Sequence, residues 1–140
     1  MNELIVSKAL WSEDSQALAK LRTEVFVNEQ QVLAEIEIDG RDTQCEHVKA
    51  VLQGKLVGTG RLLPGGFIGR MCVLLQFRGQ GIGTLMLHQL IELARQEKYS
   101  QVLLNSQTDA IAFYQHYGFV IDSDEFMEAG ISHKRMTFSL

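Results

Sequence analysis

The 140-residue chain contains a single proline, Pro64, and no repeat or low-complexity stretch, so it has no segment typical of an interdomain linker. Its two cysteines, Cys45 and Cys72, lack C-x-x-C spacing, which argues against a zinc ribbon or a dithiol redox pair. No apolar run approaches the roughly 18 residues of a membrane span, and the N-terminus lacks a basic start followed by an apolar block. These absences predict one domain over residues 1–140 that is soluble, cytoplasmic and free of membrane contacts.

Positive charge is also in short supply. The chain has 13 lysines and arginines against 17 aspartates and glutamates, a formal net charge of −4, so it has no bulk attraction to phosphate polymers and nucleic acid is not an expected partner. Hydrophobic residues make up 46% and charged residues 21%, which are typical globular values and predict one hydrophobic core. No spacing of histidines, cysteines and carboxylates indicates a metal site.

The first half of the chain alternates between strand and helix patterns. The stretch "LIVSKAL" predicts a strand, and Ser12 is a candidate cap for a helix that continues through Leu18, Leu21, Val25 and Phe26. Residues 28–46 are polar and without a clear period, which predicts a short helical turn and an exposed loop. The runs "HVKAVLQ" and "LVGTGRLL" around "GK" predict a hairpin, and "GFIGRMCVLL" a further strand.

The second half contains the clearest helix. From Gly81 onward, apolar residues recur at three and four positions and predict one buried face, formed by Ile82, Leu85, Met86, Leu90, Leu93 and Ala94. A strand ("QVLLN"), a short helix ("TDAIAFYQHY") and two strands ("GFVID" and "HKRMTFSL") follow. This order predicts an α/β layer with a mixed sheet rather than a doubly wound sheet of regular βαβ units.

The hexapeptide "RGQGIG", residues 78–83, lies between the strand "MCVLL" and the long helix. A helix N-terminus presents unpaired N–H groups and a partial positive charge, so it can bind phosphate, and glycines let those amides approach an anion closely. The Rossmann and P-loop fingerprints both fail here, because Thr84 occupies the last glycine position and no Gly-Lys-Ser/Thr ending is present. A tight turn in which the glycines serve packing alone remains the structural alternative.

This hexapeptide resembles the Arg/Gln-x-x-Gly-x-Gly/Ala signature of the GNAT N-acetyltransferase superfamily. A second match, "AFYQHYGF" at residues 112–119, is similar to the superfamily's FYxxxGF element, and "FVNEQ", "VGTGRL", "IGRMCV", "LNSQT" and "FMEAGISH" extend the resemblance to the ElaA-like or YjcF-like branch over essentially the full chain. The resemblance implies the acyl-CoA N-acyltransferase fold, a central mixed sheet of roughly six or seven strands flanked by about four helices. It also implies acetyl-CoA as cosubstrate, an amine acceptor and, by superfamily habit, a homodimer.

The resemblance also assigns the cosubstrate site. The pantetheine arm would lie along the strand containing Met71, Cys72 and Val73, with the Val73 amide as a candidate oxyanion donor. The implied cosubstrate-binding residues are Met71, Cys72, Val73, Arg78, Gly79, Gln80, Gly81, Ile82, Gly83, Thr84, Asn105 and Tyr114. Tyr114 would donate a hydrogen bond to the departing sulfur, with plain aromatic packing as its alternative. Asn105 would hold the pantetheine amide, with capping of the next helix as its alternative.

An amine must lose a proton to attack a thioester, so a base or desolvation must help. Candidate bases are Glu29, His47 and His133. Glu29 ranks first because it follows an apolar stretch at a predicted helix end on the acceptor side of the superfamily layout; its alternative is a solvated carboxylate. Either histidine could instead be structural. Cys72 could in principle accept the acetyl group, but no neighbouring histidine activates it, and the superfamily transfers directly.

The segment 35–46 holds five acidic residues and one arginine. If it borders the acceptor cleft, it would attract a cationic amine; a solvated loop is the competing interpretation. Gln30 and Arg61 are further candidates for the acceptor side. The sequence therefore predicts an acetyl-CoA-dependent N-acetyltransferase acting on a small-molecule or peptide amine, with a non-catalytic acyl-CoA sensor as the alternative.

Overall fold

The computed structural model describes residues 3–140. Its strands are β1 (Leu4–Ala9), β2 (Glu46–Leu52), β3 (Lys55–Leu63), β4 (Phe67–Val73), β5 (Gln101–Gln107), β6 (Val120–Ile121), β7 (Phe126–Glu128) and β8 (Ile131–Ser139). Its α-helices are α1 (Trp11–Arg22), α2 (Ala34–Glu37), α3 (Ile82–Gln96) and α4 (Ile111–His116). Wider π-helical turns over Thr23–Glu29 extend α1, and short 3-10 turns occupy Asp42–Gln44, Leu75–Phe77 and Thr108–Ala110. The predicted α/β class is confirmed, and β7 is an additional short strand.

The strands form one mixed sheet in the order β1-β2-β3-β4-β5-β8-β6, with β7 also paired to β8. Neighbours run antiparallel except β4 and β5, which are parallel. The C-terminal strand β8 was expected to close the sheet, but it lies inside, between β5 and β6. The sheet therefore consists of two antiparallel halves that meet at the β4–β5 pair.

Helix α3 packs its apolar face on the first half of the sheet and forms much of the core. The predicted face is confirmed except at Leu85, which is 46% exposed, whereas Leu87 and Ile91 are buried. The buried stripe follows steps of four residues from Ile82, with Leu87 and Ile91 beside it, and this leaves Leu85 on the opposite flank.

Helix α1 begins one residue before the predicted cap. Leu10, not Ser12, occupies the N-cap with extended backbone, so the assignment of Ser12 is wrong. The Leu10 N–H donates to Asp14 Oδ2 at 3.0 Å. A carboxylate in the first turn thus satisfies one of the unpaired amides and complements the positive end of the helix.

The β2–β3 hairpin turns at Gln53 and Gly54, one residue earlier than the predicted "GK". Both residues have positive φ, 50° and 80°, as a two-residue type I′ turn requires. A type I′ turn matches the twist of the two paired strands. The pairing of β2 with β3, and not the glycine alone, therefore decides which two residues form the turn.

Candidate active site

A cleft opens between β4 and β5 because these parallel strands are paired at a single position, Phe67 opposite Leu103. Beyond that pair the strands diverge toward their C-terminal ends. The space between them belongs to a cavity of about 570 Å³ whose wall includes Met71 from β4, Asn105 from β5 and Tyr114 from α4. Residues from both halves of the sheet and from α4 therefore face one volume.

Backbone groups of β4 face this cleft. The Leu74 N–H donates to the Val57 carbonyl at 2.9 Å, and the next pair along the ladder is Val73 with Gly58. Antiparallel pairs alternate between groups that bond across the ladder and groups that point away, so the N–H and C=O of Val73 point away from β3 toward the cleft. The Val73 carbonyl accepts a bond from Arg78 Nε there, at 2.8 Å. The Val73 amide is thus a donor on the open side of β4.

The glycine loop forms the N-terminus of α3. Gly79 and Gly81 have φ of 80° and 83°, and a Cβ on either would meet nothing within 4 Å. Among residues 3–140 no side chain caps the helix, so its first amides can bind an anion. The Ile82 side chain is buried in the core, which leaves only its backbone available. The strand-to-helix geometry required for phosphate binding is present, and within the described chain residues 78–84 lie outside the cavity wall.

Thr84 and Gln80 differ in their surroundings. The Thr84 hydroxyl is hydrogen-bonded to the Tyr117 hydroxyl at 2.8 Å, whereas Gln80 is exposed. Gly83 lies inside the first turn, where a Cβ would be 3.7 Å from the Phe113 ring. The FYxxxGF element therefore packs directly against the glycine loop, which explains why the two motifs occur together.

Glu29 and Arg78 form a two-pronged ion pair, at 2.7 Å from Nη1 to Oε2 and 2.8 Å from Nη2 to Oε1. The hydrogen bonds from Arg78 lower the pKa of Glu29 below its ordinary value. Both side chains are about one third exposed. The predicted base thus lies beside the glycine loop as an ionised carboxylate with a cationic partner.

Tyr114 lines the cavity from α4. Burial raises the pKa of its hydroxyl to about 12. Within residues 3–140 the hydroxyl has no hydrogen-bond partner, although its ring packs edge-on against Phe113 and Phe119. The side chain therefore packs as an aromatic and also presents a neutral, unused O–H donor.

His133 lines the same cavity from β8 and is 6% exposed. Its Nδ1 is 2.6 Å from the Ile131 carbonyl, so this nitrogen carries a proton and donates it. Nε2 is then the basic nitrogen in the neutral ring, and it lies 3.7 Å from Glu128 Oε2. Stacking on Phe126 holds the ring in place.

Asn105 is the neighbour of this group on β5. Its Nδ2 donates to Glu128 Oε1 at 3.4 Å, and the following 3-10 turn begins at Thr108 without a side-chain cap. The side chain therefore faces the cavity and does not cap the next helix.

His47 lies elsewhere. It is 2% exposed, its ring stacks on Trp11 at 4.8 Å, and its Nε2 is 2.9 Å from the Asp42 carbonyl. Burial lowers the pKa of the ring. Within the described residues neither His47 nor Glu29 is part of the cavity wall, so His133 is the candidate base that lines the cavity.

The acidic segment is not a plain solvated loop. Glu37 and Asp42 are buried, and both bind Arg22, at 2.6 Å in each case. Asp42 and Asp39 also accept hydrogen bonds from Arg61. Burying a carboxylate requires such partners. The segment packs against β3 and β4 and borders the cavity through Glu37 and Asp39.

Some cavity residues carried no sequence signal. Arg70 has a φ of 51° at a bulge in β4, where the register with β3 shifts, and its guanidinium contacts the Ile36 and Glu37 carbonyls. Gln107 donates to Gln30 Oε1 at 2.8 Å across the cleft. Only the polar end of "LNSQT" pointed to Gln107, and nothing in the sequence revealed the bulge. Arg61, a predicted acceptor-side residue, does line the cavity.

Cys72 is a poor nucleophile. Its side chain packs with Leu21, Val25 and Leu74, and burial raises the pKa of the thiol to about 12. A thiolate is needed for acyl transfer to cysteine, so Cys72 is poorly suited to accept an acyl group.

Two further findings concern residues 3–140. None of the helices there combines the length and apolar character that a membrane crossing requires. No three histidine, cysteine, aspartate or glutamate side chains in that range converge as a metal site would need.

Comparison with known proteins gives a consistent answer. Residues 7–140 match the family described as acetyltransferase (GNAT) domain. The chain is 40% identical over 120 residues to the uncharacterized N-acetyltransferase YjcF of Bacillus subtilis. The aligned region covers 83% of this chain and 86% of that protein.

Solved structures agree. An acyl-CoA N-acyltransferase from Pseudomonas aeruginosa is 31% identical with a TM-score of 0.84, covering 96% of this chain and 99% of the other. Escherichia coli ElaA is 28% identical with a TM-score of 0.86, covering 95% and 98%. The fold is shared by a GNAT family acetyltransferase from Elizabethkingia anophelis with acetyl-CoA bound. That chain is 18% identical to this one, with a TM-score of 0.74, and the match covers 98% of both chains. The chain therefore belongs to the GNAT family of N-acetyltransferases, enzymes of acyl transfer.

Proposed function

We propose that this protein transfers the acetyl group of acetyl-CoA directly to an amine of a small molecule or peptide. The observation that carries the proposal is the open β4–β5 cleft, where the Val73 amide points into the gap and Tyr114 lines the adjoining cavity. A thioester placed between the strands would meet a backbone donor on one side and a phenol on the other. The related structure from Elizabethkingia anophelis, which has acetyl-CoA bound, shares this fold.

The glycine loop suits the diphosphate of the cosubstrate. Gly79 and Gly81 leave open space where side chains would stand, and the uncapped amides of α3 supply donors in that space. Arg78 adds a positive charge close by. These residues would bind the phosphates, while the open edge of β4 would bind the amides of the pantetheine arm, as an added strand does.

The Val73 amide would stabilise the transition state. Negative charge develops on the thioester oxygen as the amine attacks, and one preorganised N–H donor of this kind is typically worth about 3 kcal/mol. This stabilisation depends on geometry, because the N–H must point at the position that the oxygen takes in the tetrahedral intermediate and not at its position in the ground-state thioester.

Tyr114 would support the leaving group by hydrogen bonding. A phenol with a pKa of about 12 does not give up its proton to a thiolate whose pKa is ordinarily about 8.5. It can still donate a strong hydrogen bond to that thiolate. Tyr114 therefore lowers the barrier to sulfur departure without itself becoming ionised.

Among the candidate bases, the geometry favours His133. Its Nε2 lone pair belongs to a cavity-lining ring whose tautomer is set by Ile131, and Glu128 is placed to stabilise the imidazolium that forms. Glu29 remains a candidate, but its ion pair with Arg78 lowers its pKa and so weakens it as a base. Glu29 and His47 are both outside the cavity wall within the described residues, and His47 would act only structurally.

Two measurements test the proposal. Calorimetry should detect binding of CoA and acetyl-CoA, and release of free CoA from acetyl-CoA should accelerate with at least one member of a broad amine panel. Binding without turnover across the panel would support a non-catalytic sensor instead. Absence of binding by folded protein would contradict both functions.

The choice of base has its own test. His133→Gln should lower kcat/KM by about a hundredfold or more, as loss of a general base does, whereas Glu29→Gln should keep kcat/KM near the wild-type value, with circular dichroism confirming that each variant is folded. If Glu29→Gln alone causes the loss, the order of the two bases is reversed.

A further inference from the structure

The charges around the cavity are segregated between its two sides. The wall formed by the 37–41 segment, β3 and β4 carries Glu37 and Asp39 together with three arginines, Arg41, Arg61 and Arg70. The wall formed by the β7–β8 hairpin carries Glu128 and His133. One side has an excess of positive charge, and the other has a carboxylate that is 51% exposed.

Arg41 supplies the excess. Arg61 and Arg70 belong to an ion-pair cluster with Arg22, in which three guanidinium groups share three carboxylates and their charges offset. The carboxylates are those of Glu37, Asp39 and Asp42. Within residues 3–140 the Arg41 guanidinium has no ion-pair or hydrogen-bond partner; only its backbone is engaged, the N–H donating to Asp39 Oδ1 at 3.1 Å and the carbonyl accepting from the Gln44 N–H at 3.0 Å. Arg41 is thus an exposed cavity-lining cation whose charge is not compensated by the fold.

The same wall holds an unused buried donor. Arg61 is 3% exposed, and its Nε has no hydrogen-bond partner among the described residues. Gly69 of β4 stands next to it, since a Cβ there would lie 3.9 Å from that nitrogen. An unpaired buried donor lowers the stability of the folded state, and this donor belongs to an arginine in the same wall as Arg41.

We propose that the acceptor amine also bears a carboxylate, which pairs with Arg41 while the amino group lies at Glu128 and His133. The inference rests on the proposed function, since it names the class of acceptor. An amino acid or a short peptide has both charges, and each would meet its opposite across the cavity. Complementary charge of this kind selects partners and steers their approach.

The test is a matched panel of acceptors. Linear ω-amino acids of increasing length are compared with the alkylamines that lack only the carboxylate, using release of CoA as the readout. In the wild-type protein kcat/KM for the best ω-amino acid should exceed that for its alkylamine by about tenfold or more, as charge-assisted pairs allow. A ratio near one at every length would overturn the inference and leave amine acetylation intact.

Variants locate the subsite. Arg41→Gln should bring the ratio close to one, and Arg41→Glu should shift the preference to diamines. Arg95→Gln, the same change at an exposed arginine on α3, should keep the wild-type ratio. An undiminished ratio in Arg41→Gln would overturn the assignment of Arg41.

A binding measurement separates this inference from the proposed function. Calorimetry of the ω-amino acids against protein saturated with CoA should show binding to the wild type that Arg41→Gln weakens by about tenfold. Such binding without any turnover would uphold the carboxylate subsite while contradicting the transferase function. No binding of any ω-amino acid would overturn the subsite.

Discussion

Glu29 and Arg78, 49 residues apart in sequence, are joined by two hydrogen bonds of 2.7 and 2.8 Å that link the end of the π-helical turns to the glycine loop. Because Arg78 also binds the Val73 carbonyl, this side chain connects the loop to the helical segment and to β4. The cation proposed to serve the cosubstrate phosphates is thus held by two groups of the protein itself.

This pairing leads to a prediction for CoA affinity. Arg78→Gln should raise the Kd for CoA by about tenfold, since a charge-assisted contact to phosphate is lost. Glu29→Gln should lower the Kd or leave it unchanged, because the freed guanidinium can turn to the phosphate. Calorimetry at low salt measures both. A large rise in Kd for Glu29→Gln would mean that the ion pair itself shapes the site.

Removing the Tyr114 hydroxyl should slow turnover and spare binding. Tyr114→Phe keeps the ring contacts with Phe113 and Phe119 but removes the donor proposed for the sulfur, so kcat should fall about tenfold or more while the Kd for CoA changes less than about twofold. Tyr99→Phe, at a partly buried tyrosine that packs on the core, is the matched control. Equal kcat in both variants would remove Tyr114 from the mechanism.

The glycine loop can be tested against a glycine of the same backbone conformation. Gly81 and Gly54 have φ of 83° and 80°, and a Cβ on either would meet nothing within 4 Å. Replacing either with alanine should cost about 1 kcal/mol of stability from the left-handed backbone. Only Gly81→Ala should also weaken CoA binding. Equal CoA affinity in the two variants would mean that the loop is only a turn.

Cys72 should be chemically silent. With a thiol pKa of about 12, only about one molecule in ten thousand carries the thiolate at pH 8, so Cys72 should resist iodoacetamide until the protein unfolds. Cys72→Ala should retain turnover if it stays folded. Mass spectrometry that found acetyl-Cys72 after incubation with acetyl-CoA would contradict direct transfer.

Buried His47 should make stability depend on pH. Burial places its pKa in the folded protein below the ordinary 6.5, so the unfolded chain binds more protons, and the stabilisation present above pH 6.5 is lost as pH falls from 6.5 through the lower pKa of the folded protein. The expected slope between those two pKa values is up to about 1.4 kcal/mol per pH unit. Urea unfolding should show a weaker dependence in His47→Gln. An unchanged slope in His47→Gln would contradict this account.

The fold was predictable where local patterns dominate. The apolar spacing of α3 and the glycines before it were sufficient to predict where this helix lies in the sequence, because both signals come from residues that are close together in sequence. The hairpin turn was misplaced by one residue and the cap of α1 by two, since strand register and the Asp14 contact to Leu10 decide them.

The site was less accessible to sequence reasoning because its chemistry depends on pairing between distant residues. Glu29 is a plausible base in isolation, and only the approach of Arg78 lowers its pKa. His47 and His133 look alike in sequence, yet one stacks on Trp11 in the core and the other lines the cavity. The burial of Glu37 and Asp42 likewise follows from Arg22, fifteen and twenty residues away.

The single pairing of Phe67 with Leu103 has a consequence for the protein in the cell. The two halves of the sheet are joined edge to edge by little more than this pair, so a cosubstrate seated between them would bridge both. Binding to the native state alone increases the free energy of unfolding with ligand concentration. Under the proposed function, the lifetime of the enzyme against proteolysis would follow the supply of acetyl donors, and starvation would deplete both the substrate and the catalyst.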